Sequence, residues 1–225
     1  MSYDLYLRDP VTGECLEIPG HLMHGANIPC EMITDEFGKQ QLVPTTSTEA
    51  YINVTYNYSE YYHGAFPGAS SNPENQARYE KDCVKYGITD PSGGIRSLNG
   101  LSGAKAIPVL QEMIRRIEKK YKDVEGWIHT EREKVWYTSK KNPAVKKDPN
   151  DMFIEYLHLK RDGLTDEQAD QHLNERWERH EGKELVCEGE TGDYWKATAA
   201  NAIRPLYQLI AVSQLRPDGV WSEES

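Results

Sequence analysis

Residues 193–221 read DYWKATAANAIRPLYQLIAVSQLRPDGVW, and the fold turns on this stretch. Apolar side chains at Ile203, Leu206, Tyr207, Ile210 and Leu215 recur near the helical period, which predicts an amphipathic helix over 198–215. Thr198 is placed to cap it, since a hydroxyl there can accept from an otherwise unpaired backbone N–H. Pro205 lies a few residues further in and predicts a kinked or poorly bonded first turn. Pro217 and Asp218-Gly219 stop the helix and turn the chain, and Val220-Trp221 then reads as a short closing strand.

A helix of this kind needs an apolar partner, and the rest of the chain offers three. Residues 2–8 alternate, with Tyr3, Leu5 and Leu7 on one face of a predicted strand. Asp9-Pro10-Val11-Thr12-Gly13 has turn chemistry, and 14–18 alternates again with Leu16 and Ile18 on one side, so the two runs predict an opening hairpin. Residues 48–58, TEAYINVTYNY, read as one strand. Ile52, Val54, Tyr56 and Tyr58 form its core face; Tyr51, Asn53, Thr55 and Asn57 form a polar face with an aromatic edge. Residues 102–121 predict a second helix, with a stripe of Ile107, Leu110, Ile114, Ile117 and Tyr121 and with Pro108 in its first turn. Two shorter strands, 31–34 and 40–43, flank a turn at Asp35-Glu36-Phe37-Gly38.

Two stretches differ in character. Residues 68–92 are rich in Ser, Asn, Pro and charge, with a short helix predicted at 73–86. Residues 124–192 carry a basic loop at 140–147 and two predicted helices, 152–161 and 165–180, the second opening on a capping pattern at Thr165-Asp166-Glu167-Gln168. The expected fold class is therefore α+β: a small antiparallel sheet packed by two core helices, with a mostly helical insertion. The expected division is a core of 1–123 plus 193–225, bearing the polar insertion 68–92, and a helical insertion over 124–192. Trp127, Trp136, Trp177 and Trp195 are expected as core or insertion anchors.

The net charge of −10 over 225 residues opposes direct binding to a nucleic-acid backbone, which needs an excess of Lys and Arg. Cys15, Cys30, Cys83 and Cys187 form no C-x-x-C pair and no metal-type spacing with a histidine. No leader and no membrane-spanning apolar run is read, so reduced thiols in a cytoplasmic protein are expected. Fourteen tyrosines against three phenylalanines favour half-wet faces and interfaces.

Several pieces together carry a resemblance: Tyr3-Asp4-Leu5-Tyr6-Leu7-Arg8-Asp9-Pro10-Val11-Thr12-Gly13, Asn53-Val54-Thr55-Tyr56-Asn57-Tyr58, Gly94-Ile95-Arg96-Ser97-Leu98, Tyr194-Trp195, Thr198, Asn201-Ala202 and Arg216-Pro217-Asp218-Gly219-Val220-Trp221. The set resembles a recurrent group of short, uncharacterised proteins encoded by phages and prophages of gut Firmicutes, over about half of the chain, without 68–92 and 124–192. The resemblance implies a phage or mobile-element accessory protein and brings no catalytic residues with it. It implies a counter-defence role: gripping an effector of bacterial immunity, as an anti-CRISPR protein does, or sequestering a nucleotide signal.

Phosphate-loop, dinucleotide-fold, nucleophile-elbow and H-E-x-x-H motifs are not found. His21 and His24 are three apart among Gly and Pro, and a metal there would need His63, Cys30 or Glu31 as well, so no metal and no cofactor is expected. Candidate ligand-binding residues are Arg96, which follows Gly93-Gly94 and could hold an anion or pair with a nearby acid, Asn201 and Arg204 near the start of the final helix, Tyr56 and His24. Candidate partner-binding residues are Tyr51, Asn53, Asn57 and Tyr61.

Three functions follow as expectations. The first is a non-enzymatic protein that inhibits a bacterial immune effector, such as a CRISPR nuclease, by docking on it; the acidic surface would speed approach to a basic channel. The second is a sponge for a cyclic nucleotide or ADP-ribose-type signal, built as a homo-oligomer around Arg96, Arg204 and the tyrosines. The third is a metal-dependent hydrolase using His21 and His24.

Overall fold

The computed structural model describes residues 2–20 and 30–224. In chain order the elements are β1 (Ser2–Arg8), β2 (Glu17–Pro19), β3 (Cys30–Thr34), β4 (Gln40–Pro44), β5 (Ser47–Glu49), β6 (Tyr51–Thr55), α1 (Ser59–Ala65), α2 (Pro73–Tyr86) and α3 (Gly103–Tyr121). Then come β7 (His129–Ser139), β8 (Lys146–Lys147), α4 (Pro149–Arg161), α5 (Asp166–Arg176), β9 (Trp177–Cys187), α6 (Ala199–Leu215) and β10 (Val220–Glu224). The fold is α+β, and the chain forms two compact units, Met1–Ile128 with Glu188–Ser225, and His129–Cys187.

In the first unit, β1 is the central strand of an antiparallel sheet ordered β10-β1-β6. Its alternation sends Tyr3, Leu5 and Leu7 inward, where Ile52 and Val54 of β6 and Trp221 of β10 join them. Helices α3 and α6 cover that face. Ala106, Val109, Leu110 and Met113 of α3 are fully buried, as are Ala202, Leu206 and Leu209 of α6. Each large member of this interior contributes roughly 1.5–3 kcal/mol relative to an exposed side chain. The runs around Tyr3, Ile52, Ile114 and Ile203 thus share one hydrophobic interior, as expected.

The closing segment locks these layers. The amides of Gly103 and Ala104, unpaired at the start of α3, donate to the carbonyls of Gly219 and Pro217 at 2.7 and 3.1 Å. Trp221 exchanges backbone bonds with Gly100 and Leu101, and its indole donates to Ser213 Oγ of α6 at 3.0 Å. Beneath β1, the 9–13 turn forms as predicted, with Asp9 Oδ1 accepting from the amides of Val11 and Thr12.

Several sequence expectations are corrected. The second opening run does not pair along β1. Leu16 and Ile18 point into the core, and β2 pairs with β5, leaving one bridge between Arg8 and Cys15. The 48–58 strand breaks at buried Ala50 and ends at Thr55, whose hydroxyl accepts from the Asn57 amide and starts a helical turn over Tyr56–Tyr58. Tyr56 and Asn57 therefore leave the sheet faces assigned to them. Pro108 sits inside α3 rather than in its first turn, on an exposed position. The buried face of α6 runs through Ala199, Ala202, Ile203, Leu206, Leu209 and Val212, whereas Tyr207 and Leu215 of the expected stripe are exposed. Near Pro205, the buried Tyr62 hydroxyl donates to the Ala202 carbonyl at 2.9 Å.

Helix α2 starts at the Asn72 cap and ends at Gly87, whose φ of 72° is the left-handed conformation that glycine adopts without strain. It is fixed to α3 by charge. Arg116 donates to both oxygens of the buried Asp82, at 2.5 and 2.7 Å, and to Glu112 at 2.8 Å. Ile88, just beyond α2, enters the core.

In the second unit, β7 and β9 pair antiparallel over their full length and β8 adds to β7. The helix expected over 165–180 stops at Arg176, and Trp177 begins β9. Trp177, Met152 and Leu173 form a small interior. Glu155 on α4 accepts from Lys147 and Arg176, both at 2.6 Å, which ties β8 and α5 to α4.

Candidate functional site

The first turn of α6 decides what its surroundings can bind. A helix start presents unpaired amides that attract anions. Here that position is already filled from within the chain. Glu188 is fully buried; its Oε2 accepts from the Ala199 amide at 2.8 Å and from the Tyr61 hydroxyl at 2.6 Å. The Glu188 carbonyl takes the Ala200 amide, and Thr198 Oγ1 takes that of Asn201. No sequence pattern announces Glu188 in this role, because it precedes the cap by ten residues across a loop.

Asn201 is buried and inward. Its Nδ2 donates to Thr191 Oγ1, at 2.9 Å, and to the carbonyls of Asp193 and Lys196, while its Oδ1 accepts from the Thr191 amide. Its amide is thus a clasp on the 191–196 loop, not a ligand contact. Outside the clasp, that loop carries two exposed rings, Tyr194 and Trp195, whose centroids are 3.7 Å apart. Asn57 Nδ2 donates to the Trp195 carbonyl at 2.8 Å and pins the loop from the other side.

Arg204 is exposed on α6, and Tyr207, one turn on along the same side, is 57% exposed. Arg204 and Tyr194 both lie close enough to act electrostatically on Tyr58, whose hydroxyl is pushed up to about 12, chiefly by burial. Asn57 and Trp195 are joined directly by their hydrogen bond, and the loop they share with Tyr194 is clasped by Asn201 of α6, the helix that carries exposed Arg204 and Tyr207. Of these, the sequence offers Asn57 as a partner-binding candidate and Arg204 as a ligand-binding one, offers neither Tyr194 nor Tyr207 as a site residue, and marks Trp195 as a packing anchor. At 55% exposure Trp195 is a surface ring.

The other candidates go elsewhere. Arg96 lies in a helical turn over Gly94–Leu98 and donates through Nε to Glu223 Oε2 at 2.7 Å; its guanidinium also sits over the Tyr3 ring and 3.5 Å from the Tyr56 hydroxyl. The ion-pair alternative for Arg96 is what the structure contains. Tyr56 packs edge-on against Tyr3. Tyr61, expected to touch a partner, is 1% exposed and belongs to the Glu188 clasp. Tyr51 and Asn53 both donate to Asp4 Oδ1, at 2.6 and 2.7 Å, and Tyr51 stacks on Tyr6. Burial and the Asp4 bond push the Tyr51 hydroxyl up to about 12. His21 and His24 lie outside the described residues. Among the described residues no group of three or more His, Cys, Asp or Glu is placed to hold a metal ion. No described helix is long and apolar enough to cross a membrane.

No protein-family model, curated protein or solved structure matches this chain.

Proposed function

We propose that the chain is a non-catalytic binding protein that grips another protein through the Tyr194–Trp195–Arg204 surface. The reading rests on one observation: two exposed aromatic rings sit on a loop held from both sides, by Asn57 at the Trp195 carbonyl and by the Asn201 clasp. Trp, Tyr and Arg are the side chains that most often dominate interface energy. Fixing them beforehand lowers the ordering cost of association. The net charge of −10 favours a partner with a basic face and speeds the encounter. With the resemblance to phage accessory proteins, this makes an effector of bacterial immunity, such as a CRISPR nuclease with its cationic nucleic-acid channel, the proposed target in the host cytoplasm.

The test is binding of the purified chain to a panel of purified immune nucleases, measured by interferometry with the Trp195→Ala variant alongside. Supporting behaviour is a saturable complex with one of them, weakened at least about tenfold by the substitution, the loss typical of an interface hot spot. A complex that Trp195→Ala leaves unchanged would move the contact elsewhere, and binding to none of the panel would remove the proposed target class.

A further inference from the structure

On an acidic chain, α2 and α3 build a concentrated basic groove. Its volume is about 660 Å³, within the range of small-molecule pockets. Arg78, Lys81 and Lys85 line it from α2, spaced three and four apart, so all three share one side of that helix. Arg115, Lys119 and Lys120 line it from α3. With Arg116, seven cations face two carboxylates, Asp82 and Glu112, a local excess of five positive charges in a chain of net charge −10.

The two carboxylates are already committed. Arg116 takes both oxygens of Asp82, and Glu112 bridges Arg115 and Arg116. This inner cluster fixes the two helices and leaves the rim uncompensated. Lys81 and Lys119 are exposed and have no ion pair among the described residues. Lys85 and Lys120 rest over the rings of Tyr86 and Tyr121, contacts that hold the ammonium groups in place without neutralising them. Arg78 donates to the carbonyls of Gly64 and Ala65. Packing Tyr86, Phe66 and Tyr121 does not require five unneutralised cations around one concavity, and their mutual repulsion opposes folding.

We propose that this groove binds a compact polyanion, a small molecule bearing several phosphate groups. The basic stripe on α2 runs from Arg78 to Lys85, about 10 Å of helix. That is short beside the ~34 Å of one duplex turn, and the acidic remainder of the chain would repel a longer nucleic acid. Among the described residues no aromatic ring lines the groove to stack a base, so recognition is by phosphate charge: the lysines act as point charges, and Arg78 and Arg115 add theirs while part of their N–H edges holds Gly64, Ala65 and Glu112. The site is separate from the Tyr194–Trp195 surface and stands or falls independently of the protein-docking reading.

The probe is inorganic triphosphate, titrated calorimetrically into the full chain at 50 and 200 mM salt, with an oligonucleotide of single-stranded DNA as a second ligand. Expected is saturable binding of triphosphate that weakens with salt and falls at least about tenfold in the double variant Lys81→Gln/Lys119→Gln, since each charge-assisted contact is among the stronger hydrogen bonds. Both side chains are exposed, and an unchanged melting temperature would show that the variant is folded. The control pair Lys39→Gln/Lys105→Gln removes the same charge outside the groove and is expected to bind normally. No saturable binding, or equal loss in the control pair, overturns the proposal. Tighter binding of the oligonucleotide than of triphosphate overturns the ligand class.

Discussion

The Tyr61 hydroxyl lies 2.6 Å from Glu188 Oε2, and this bond joins α1 to the first turn of α6 inside the core. The same carboxylate oxygen takes the Ala199 amide at 2.8 Å. Removing one donor takes a hydrogen bond from a buried acceptor, a change that costs about 1–3 kcal/mol. Tyr61→Phe keeps the ring and its edge-on contact with Tyr121, so the loss isolates the hydroxyl. Urea unfolding is expected to show a lower midpoint with an unchanged slope. A midpoint equal to wild type would mean that the carboxylate is satisfied without Tyr61.

A second expectation concerns acid. Glu112 has its pKa held down to about 2, first by its bonds to Arg115 and then, against the opposing effect of burial, by Arg116. Its folded value lies below the ordinary value of 4.5. The contribution to stability is therefore complete above pH 4.5 and is lost as pH falls towards 2. Glu112→Gln should flatten the decline in urea midpoint across that window while leaving other carboxylates, such as Asp9 and Asp90, to titrate as before. An unaltered pH profile would show that the Arg115 and Arg116 bonds do not couple to folding.

The start of α3 has no room for a side chain. A Cβ at Gly103 would stand 2.5 Å from the Arg216 carbonyl oxygen and 2.9 Å from that of Ser213. Both are backbone atoms at the end of α6, so relief requires the helices to separate. Overpacking of this kind costs typically about 1–3 kcal/mol. Gly103→Ala is expected to lower the melting temperature by several degrees. Gly87→Ala tests a different effect: nothing crowds Gly87, but its left-handed φ of 72° is strained for alanine.

Much of this architecture was legible because it rests on local chemistry. Thr198 capping α6, the Asp9 and Asp35 turns, the alternation of Tyr3, Leu5 and Leu7, and the stop at Pro217 each follow from residues within a few positions. The misreadings share a cause as well. Whether β2 pairs with β1 or β5, and which side of α6 is buried, depends on partners far along the chain, and Tyr207 fits either side by hydropathy. The site suffered most. Arg96 and Asn201 have the residue types of ligand contacts, but Glu223 and the 191–196 loop, which occupy them, are close only in the folded chain. Conversely, the basic groove brings cations of α2 together with cations of α3 that lie 30 or more positions further along the chain, and the overall negative charge hides it.

The Asn201 clasp gives the last expectation. Asn201 makes contacts with Thr191, Asp193 and Lys196 and so closes the loop that displays Tyr194 and Trp195. Asn201→Ala removes these at once, while Thr198 Oγ1 can still cap α6 through the residue 201 backbone amide. The helix should therefore persist and the loop should loosen. By hydrogen exchange, amides of 191–197 are expected to exchange at least about tenfold faster, equivalent to about 1.4 kcal/mol of lost local protection, with α3 unchanged. If Trp195 acts as a fixed anchor, Asn201→Ala must also weaken the protein complex although residue 201 is itself buried. Faster exchange with undiminished affinity would separate the two ideas, leaving the clasp real and the need for a rigid anchor refuted.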